Sequence, residues 1–165
     1  IADIVSEAFM PVAYGGGVSD TGHIAQLYQA GIEKVILSSA LQRGTELVSA
    51  AARRYGAQAV TVCLPVGRKL WGGAKVRVCR GQVSIKGSPA SLARGSAEAG
   101  AGEILVYSID RDGTFLGYDL DLLRSVAGCV KVPVVACGGA RNIEDFAMAV
   151  REAGCSAVAA GSLFV

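Results

Sequence analysis

One stretch of this sequence occurs twice, and the spacing of the two copies limits what the chain can fold into. Pro11-Val12-Ala13-Tyr14-Gly15-Gly16-Gly17 leads through a helical pattern to Ala30-Gly31, then to Lys34-Val35-Ile36-Leu37-Ser38-Ser39. Pro133-Val134-Val135-Ala136-Cys137-Gly138-Gly139 leads through a similar pattern to Ala153-Gly154, then to Ala157-Val158-Ala159-Ala160-Gly161-Ser162. Each copy reads as strand, Gly-Gly turn, helix, strand and small-hydroxyl turn. The copies start at Pro11 and Pro133, 122 residues apart, and four strand–helix units fit between them. Eight such units closing a barrel take roughly 250 residues, the ordinary size of a (βα)8 fold.

The rest of the chain keeps the same alternation. Val/Ile/Ala-rich runs predict buried parallel strands near 11–14, 34–38, 59–64, 103–107, 133–137 and 157–160. Helical patterns predict helices over 20–30, 43–55, 89–100, 119–128 and 142–153, with stops such as Ala30-Gly31 and Tyr55-Gly56. Residues 1–8 read as the tail of an earlier helix. Six strands would leave a barrel with two open edges. The expectation is therefore one domain over residues 1–165, an α/β fold, a (βα)8 TIM barrel seen incompletely. About two βα units would be absent at its start and a helix at its end. An open doubly wound sheet is the competing topology, and it gives no reason for a half-barrel repeat.

Composition narrows the function classes. At 165 residues and 52% hydrophobic content, one substantial core is within reach. No apolar run is long enough to span a membrane, and no basic-then-apolar leader opens the chain. Five scattered cysteines, Cys63, Cys79, Cys129, Cys137 and Cys155, have no metal-type spacing and suit buried free thiols in a reducing, cytoplasmic setting. A net charge of +2 gives no support to nucleic-acid binding. Between Glu46 and Glu98, however, there is no acid, and Arg53, Arg54, Arg68, Lys69, Lys75, Arg77, Arg80, Lys86 and Arg94 all fall there. That run is either a solvated basic surface or a positive rim for an anionic metabolite or an acidic partner.

Chemistry is expected in the turns after strands, which collect at one mouth of a parallel barrel. Gly16-Gly17 and Gly138-Gly139 let backbone N–H groups approach an anion with no Cβ in the way. Ser39 and Ser162 are expected at the start of the following helix, where hydroxyl and backbone donors favour phosphate. Two matching anion sites imply a ligand with a phosphate at each end. Asp110 and Asp112, in Ser108-Ile109-Asp110-Arg111-Asp112-Gly113-Thr114, follow the strand at 103–107. One carboxylate is expected to face ligand, Asp112, while Asp119 caps a helix. Carboxylates there suit proton transfer or hydrogen bonds to sugar hydroxyls. Lone His23 falls in a helix pattern and reads as surface polar.

The run from Ser108 to Asp119 (S-I-D-R-D-G-T-x-x-G-Y-D), preceded by Gly102-Glu103-Ile104-Leu105 and flanked by both Gly-Gly turns, resembles the cyclase subunit of imidazole glycerol phosphate synthase. The related isomerase of histidine biosynthesis shares the two phosphate sites but carries Gly-Pro-Asn where this chain has Gly117-Tyr118-Asp119. The resemblance covers essentially all of the chain, as strands three to eight of a (βα)8 barrel. It implies a bisphosphorylated aminoimidazole ribonucleotide substrate and a lyase that closes an imidazole ring. Ammonia would come from a glutaminase subunit in a heterodimer; no cofactor, metal, nucleic acid or membrane is implied. Carried over, Gly17 and Ser39 match one phosphate site, and Gly138, Gly139 and Ser162 the other, with Gly113 beside it. Asp112 matches a substrate-facing carboxylate, and Lys34 and Glu103 match charged residues ringing the ammonia entrance. A buried Lys–Glu pair at a strand base is otherwise expensive.

Two departures accompany the match. Cys63-Leu64-Pro65-Val66 stands where the family has an apolar-Ile-Asp-Ala pattern, so Pro65 occupies the position of one catalytic aspartate. Leu70-Trp71-Gly72-Gly73-Ala74-Lys75-Val76 resembles a paralogous branch that amidates surface-polysaccharide sugars. Trp71 reads as a packing residue of a hairpin or as a sugar platform.

Overall fold

A computed structural model describes residues 1–69 and 72–164; Leu70 and Trp71, and with them the reading of Trp71, lie outside the described residues. Six strands form one all-parallel row: β1 (Ala13–Gly15), β2 (Lys34–Leu37), β3 (Val60–Lys69), β6 (Glu103–Ser108), β7 (Val134–Cys137) and β8 (Ala157–Ala159). Their spatial order follows the chain without reversal. Right-handed crossovers in unreversed order put every connecting helix on one face, the arrangement of a barrel wall. A doubly wound sheet requires a switch point, so that topology is excluded. The architecture is an α/β half-barrel, six parallel strands of an incomplete (βα)8 fold. All six expected strands are present.

The helices are α1 (Ala2–Glu7), α2 (Thr21–Gln29), α3 (Glu46–Tyr55), α4 (Pro89–Glu98), α5 (Leu120–Ala127) and α6 (Ile143–Arg151). Four begin on a side-chain cap: Asp20, Ser88, Asp119 and Asn142 each accept from a backbone N–H three residues on. Their apolar stripes, such as Ile24 and Leu27 of α2 or Leu122, Leu123 and Val126 of α5, bury against the sheet. Facing them, Val60, Val62, Leu64 and Val66 of β3 and Ile104 and Val106 of β6 are fully buried. Each such side chain contributes about 1.5–3 kcal/mol of transfer free energy.

The opposite parity of each strand faces the barrel interior in three tiers fixed by register. Thr61 and Glu103 pair at the base, where the Lys34 side chain of β2 reaches Glu103. Cys63, Leu105 and Val135 form the middle, and Pro65, Tyr107 and Cys137 the top. Strand polarity thus separates an ionic end from a mouth.

One element departs from the expected pattern. β3 runs five residues past the expected 59–64 end, to Lys69, and turns back through β4 (Gly72–Val78) and β5 (Val83–Ser84) as an antiparallel hairpin. Its four-residue tip, Cys79 to Gln82, has Cys79, Arg80 and Gly81 at positive φ and is closed by Gln82 N–H donating to Cys79 C=O at 3.2 Å. Gln42 Nε2 donates to Cys79 Sγ at 2.9 Å, pinning the tip over the mouth.

Candidate functional site

At the C-terminal ends of β1 and β2, the turn after each strand forms one wall of a cavity of about 420 Å³ lined by Gly16, Gly17, Ser19, Ser38, Ser39, Gln42, Arg43 and Cys79. Gly16 and Gly17 have φ +114° and +69°, a region that L side chains rarely adopt, and a Cβ on either would meet nothing within 4 Å. Ser39 opens a five-residue 3₁₀ turn, Ser39–Arg43, rather than the α-helix itself, which begins at Glu46. Donors here are therefore individual N–H and hydroxyl groups, with little help from a helix macrodipole.

The second copy builds a notch of about 10 Å³ lined by Asp112, Gly113, Gly138, Gly139, Ala140, Gly161 and Ser162. Ser162 again opens a 3₁₀ turn, Ser162–Phe164. Ser162 Oγ lies 3.9 Å from where a Cβ on Gly113 would be, so these two residues face one another across it. All seven residues expected at anion sites thus gather in two places, three in one and four in the other.

Most of the Ser108–Asp119 run holds this geometry in place. Arg111 donates to the carbonyls of Gly117 and Tyr118 at 3.1 and 3.0 Å, and Gly117 N–H donates to Gly139 C=O at 2.8 Å. Tyr118 OH donates to Ala159 C=O at 2.9 Å. Asp110 accepts from the Arg68 backbone N–H. Asp119 caps α5 and takes the Arg68 guanidinium at 2.7 Å, which anchors the hairpin base. Asp112 alone of these carboxylates reaches the notch, and Tyr107 OH donates to its Oδ2 at 2.7 Å. Burial first, then the hydrogen bond and charge of Asp112, push the Tyr107 hydroxyl up to about 12, so it stays a proton donor at neutral pH.

Pro65 lies inside β3, paired with Tyr107 of β6, and not at a strand end. The carbonyls of Val60 and Val66 accept from Gly102 and Ile109 on the β6 side, so alternate residues, Pro65 included, turn their nitrogen the other way. On that side β2 has ended at Leu37, opposite Val62. Pairing with β4 takes up that side only from Val66, so the missing N–H of Pro65 falls in the gap between the end of β2 and the start of the β4 ladder. Its ring lines a second large cavity, about 370 Å³, with Ser38, Ser39, Arg77, Cys79, Arg80 and Tyr107. Shared Ser38, Ser39 and Cys79 make the two cavities one trough.

At the other end, Lys34 Nζ donates to Glu103 Oε2 at 3.1 Å, while Thr61 Oγ1 donates to Oε1 at 2.8 Å. The pair bridges β2 to β6 across β3. It is half-buried, 33% and 23% exposed, rather than buried as expected. The base tier remains open enough to be hydrated.

Comparison with known proteins settles the family. A model of the histidine biosynthesis protein family matches residues 1–165. This chain belongs to that family. It is 41% identical, over all of its own length and 66% of the other's, to a Pseudomonas aeruginosa protein provisionally named imidazole glycerol phosphate synthase subunit hisF2. Imidazole glycerol phosphate synthase subunit HisF of Hyphomonas neptunium is 43% identical over 94% of this chain and 62% of that protein. HisF of Pyrobaculum aerophilum is 42% identical over 99% and 63%. The chain spans 62% to 66% of the length of these relatives.

Within this family member, three side chains at the mouth went unread in the sequence. Tyr107 shares strand parity with Glu103, a signal that would have put it on the interior face. Arg77 was one of nine cations in an undifferentiated run, and Gln42 had no local signal. Two readings need correction. Cys79 is exposed at the mouth rather than buried, because it sits at a hairpin tip. His23 is half-buried beside Tyr14, ring centroids 6.3 Å apart, rather than a surface polar group. Burial pushes the Cys63 thiol up to about 12 and raises Cys137 and Cys155, which keeps these three protonated and unreactive. Among the described residues no helix is long and apolar enough to cross a membrane.

Proposed function

We propose that this chain is part of an ammonia-using cyclase barrel that binds a bisphosphorylated aminoimidazole ribonucleotide across its mouth. Each phosphate would sit at one Gly-Gly/Ser turn. The observation that carries the reading is the pairing of two glycine–serine turns at one mouth, one lining the trough and the other lining the notch that Asp112 reaches. Gly17 N–H and Ser39 would hold one end, and Gly138, Gly139, Gly113 and Ser162 the other. Asp112, oriented by Tyr107, would accept from ligand hydroxyls or move a proton beside the notch. Lys34 and Glu103 would gate ammonia delivered by a glutaminase subunit docked at the strand base. HisF-named relatives over the whole chain support this assignment.

Pro65 favours a second reading, a paralogue that amidates a nucleotide-linked sugar for surface polysaccharide, or a catalytically impaired scaffold that only binds ligand. Proline neither gives nor takes a proton, and one positioned carboxylate contributes about 10²–10⁴-fold in rate. The full chain, assayed with ammonia and the bisphosphorylated aminoimidazole ribonucleotide, is expected to bind the substrate but cyclise it slowly. Pro65→Asp is expected to raise the rate, up to the roughly 10²–10⁴-fold that one positioned carboxylate contributes. Fast turnover by the unmodified protein would show that another group, Asp112 first, does the proton transfer. Failure to bind the substrate would overturn the cyclase reading and leave the paralogue.

A further inference from the structure

The middle of the trough carries charge that neither glycine turn uses. Arg77 and Arg80 line it beside Pro65 and Tyr107. Among the described residues neither arginine is in an ion pair. Asp112 is the only carboxylate lining the trough or the notch, and it is already bonded to Tyr107. Where the family pattern has an acid, this wall is an apolar ring facing two cations.

Arg77 differs from the solvated cations of the basic run. Its Nε is shut off from solvent and has no hydrogen-bond partner among the described residues. A guanidinium is weakly hydrated and tolerates burial, but its donors are ordinarily matched. The stem is deliberately accommodated: a Cβ on Gly67 would come within 3.2 Å of Arg77 Cδ and 3.1 Å of Ile109 Cδ1. Gly67 does not occupy the left-handed region, so its lack of a side chain serves space and not φ. Nε–H and one Nη–H lie side by side in the planar guanidinium, and a turn about the carbon–carbon bonds before Nε would present them to the cavity that Arg77 lines. That fork matches two oxygens of one carboxylate or phosphate.

We infer that the middle of the mouth is a third anion subsite, in which Arg77 receives an oxyanion that the ligand carries between its two ends. The subsite deepens the two-phosphate reading and rests on it for the rest of the ligand. Its consequence is specificity: a two-phosphate ligand with a central carboxylate or phosphate is preferred over one neutral at its centre, the aminoimidazole ribonucleotide included.

The test is an NMR titration of the ¹⁵N-labelled full chain, first with inorganic phosphate and separately with acetate. The Arg77 Nε–Hε resonance is expected to move and saturate with at least one of them. Saturation at lower acetate than phosphate assigns a carboxylate to the subsite, and the reverse order assigns a phosphate. Arg77→Gln is expected to weaken the accompanying shifts of the Val78 and Tyr107 amides by about tenfold or more, the effect of losing a charged hydrogen bond. Arg77→Lys, which keeps stem and charge but not the fork, is expected to do the same if the glutamine variant does not fold. The Gly17 and Gly139 amides report the two ends independently. If they saturate with phosphate while Arg77 drifts linearly with both anions, the subsite is refuted and the two-phosphate reading stands. If Arg77 saturates while both glycine amides stay still, the subsite stands and the two-phosphate reading falls.

Discussion

The two glycine pairs look interchangeable in sequence and are not so in space. Gly16 and Gly17 turn at φ +114° and +69° with nothing within 4 Å of an added Cβ. Gly138 and Gly139 turn at φ +90° and +102°, but a Cβ would lie 2.5 Å from the Ser108 carbonyl oxygen and 2.6 Å from that of Gly117. The first pair is glycine because of its backbone conformation and whatever approaches it from the mouth. The second is glycine because the 108–119 loop packs directly on it, through the Gly117–Gly139 hydrogen bond. A repeated motif thus repeats a backbone shape, while the packing around each copy decides whether it serves folding, ligand or both.

The comparison breaks most visibly in stability. Gly138→Ala combines a left-handed alanine with a backbone clash and is expected to cost about 3 kcal/mol or more. Gly17→Ala carries only the conformational term, about 1–2 kcal/mol. Urea unfolding of both variants measures the difference, and equal losses would mean that the first turn is as tightly packed as the second. Phosphate affinity sharpens the contrast, since Gly17→Ala is expected to weaken the first end about tenfold by displacing an anion from a backbone donor.

A smaller effect comes from Tyr107, which lines the trough and reaches the second notch through Asp112. Its folded pKa, about 12, lies above the ordinary value of 10.0, and Tyr118 is likewise raised to about 12. A raised folded pKa means that the stabilisation is whole below pH 10 and is lost as pH climbs through about 12. Tyrosinate absorbance is expected to show Tyr107 and Tyr118 ionising only in that last step. Tyr107→Phe removes one of them, and it is expected to loosen phosphate at the Gly139 amide while leaving the Gly17 amide unchanged. Ionisation of all five tyrosines near pH 10 would remove the Tyr107–Asp112 link.

Much of this was legible because local chemistry and fold agreed. Runs such as Val134-Val135-Ala136 could only be buried parallel strands, and Asp20, Ser88, Asp119 and Asn142 are capping residues at the positions where helices start. The unreversed strand order followed from the half-barrel repeat. Pro65 misled, because proline reads as a strand terminator unless the vacancy on the β2 side is known, and that depends on where β2 stops. The hairpin beyond it was obscured by the same break. Arg77 was invisible for a different reason: its burial depends on Gly67 and Ile109 from other segments, and no property of the basic run marks one arginine out. The packing of Gly138 and Gly139 on residues 108 and 117 is also long-range. By contrast Lys34 and Glu103, 69 positions apart, were paired in advance only through the family resemblance.

The central claim is that two turns at one mouth hold the two phosphates of one ligand. Isothermal titration of the full chain with a bisphosphorylated aminoimidazole ribonucleotide tests it, using Ser39→Asp, Ser162→Asp and the double variant. A new carboxylate at either turn repels phosphate, so each single variant is expected to bind at least about tenfold more weakly, and the double variant not at all. Undiminished affinity in the double variant would contradict the account.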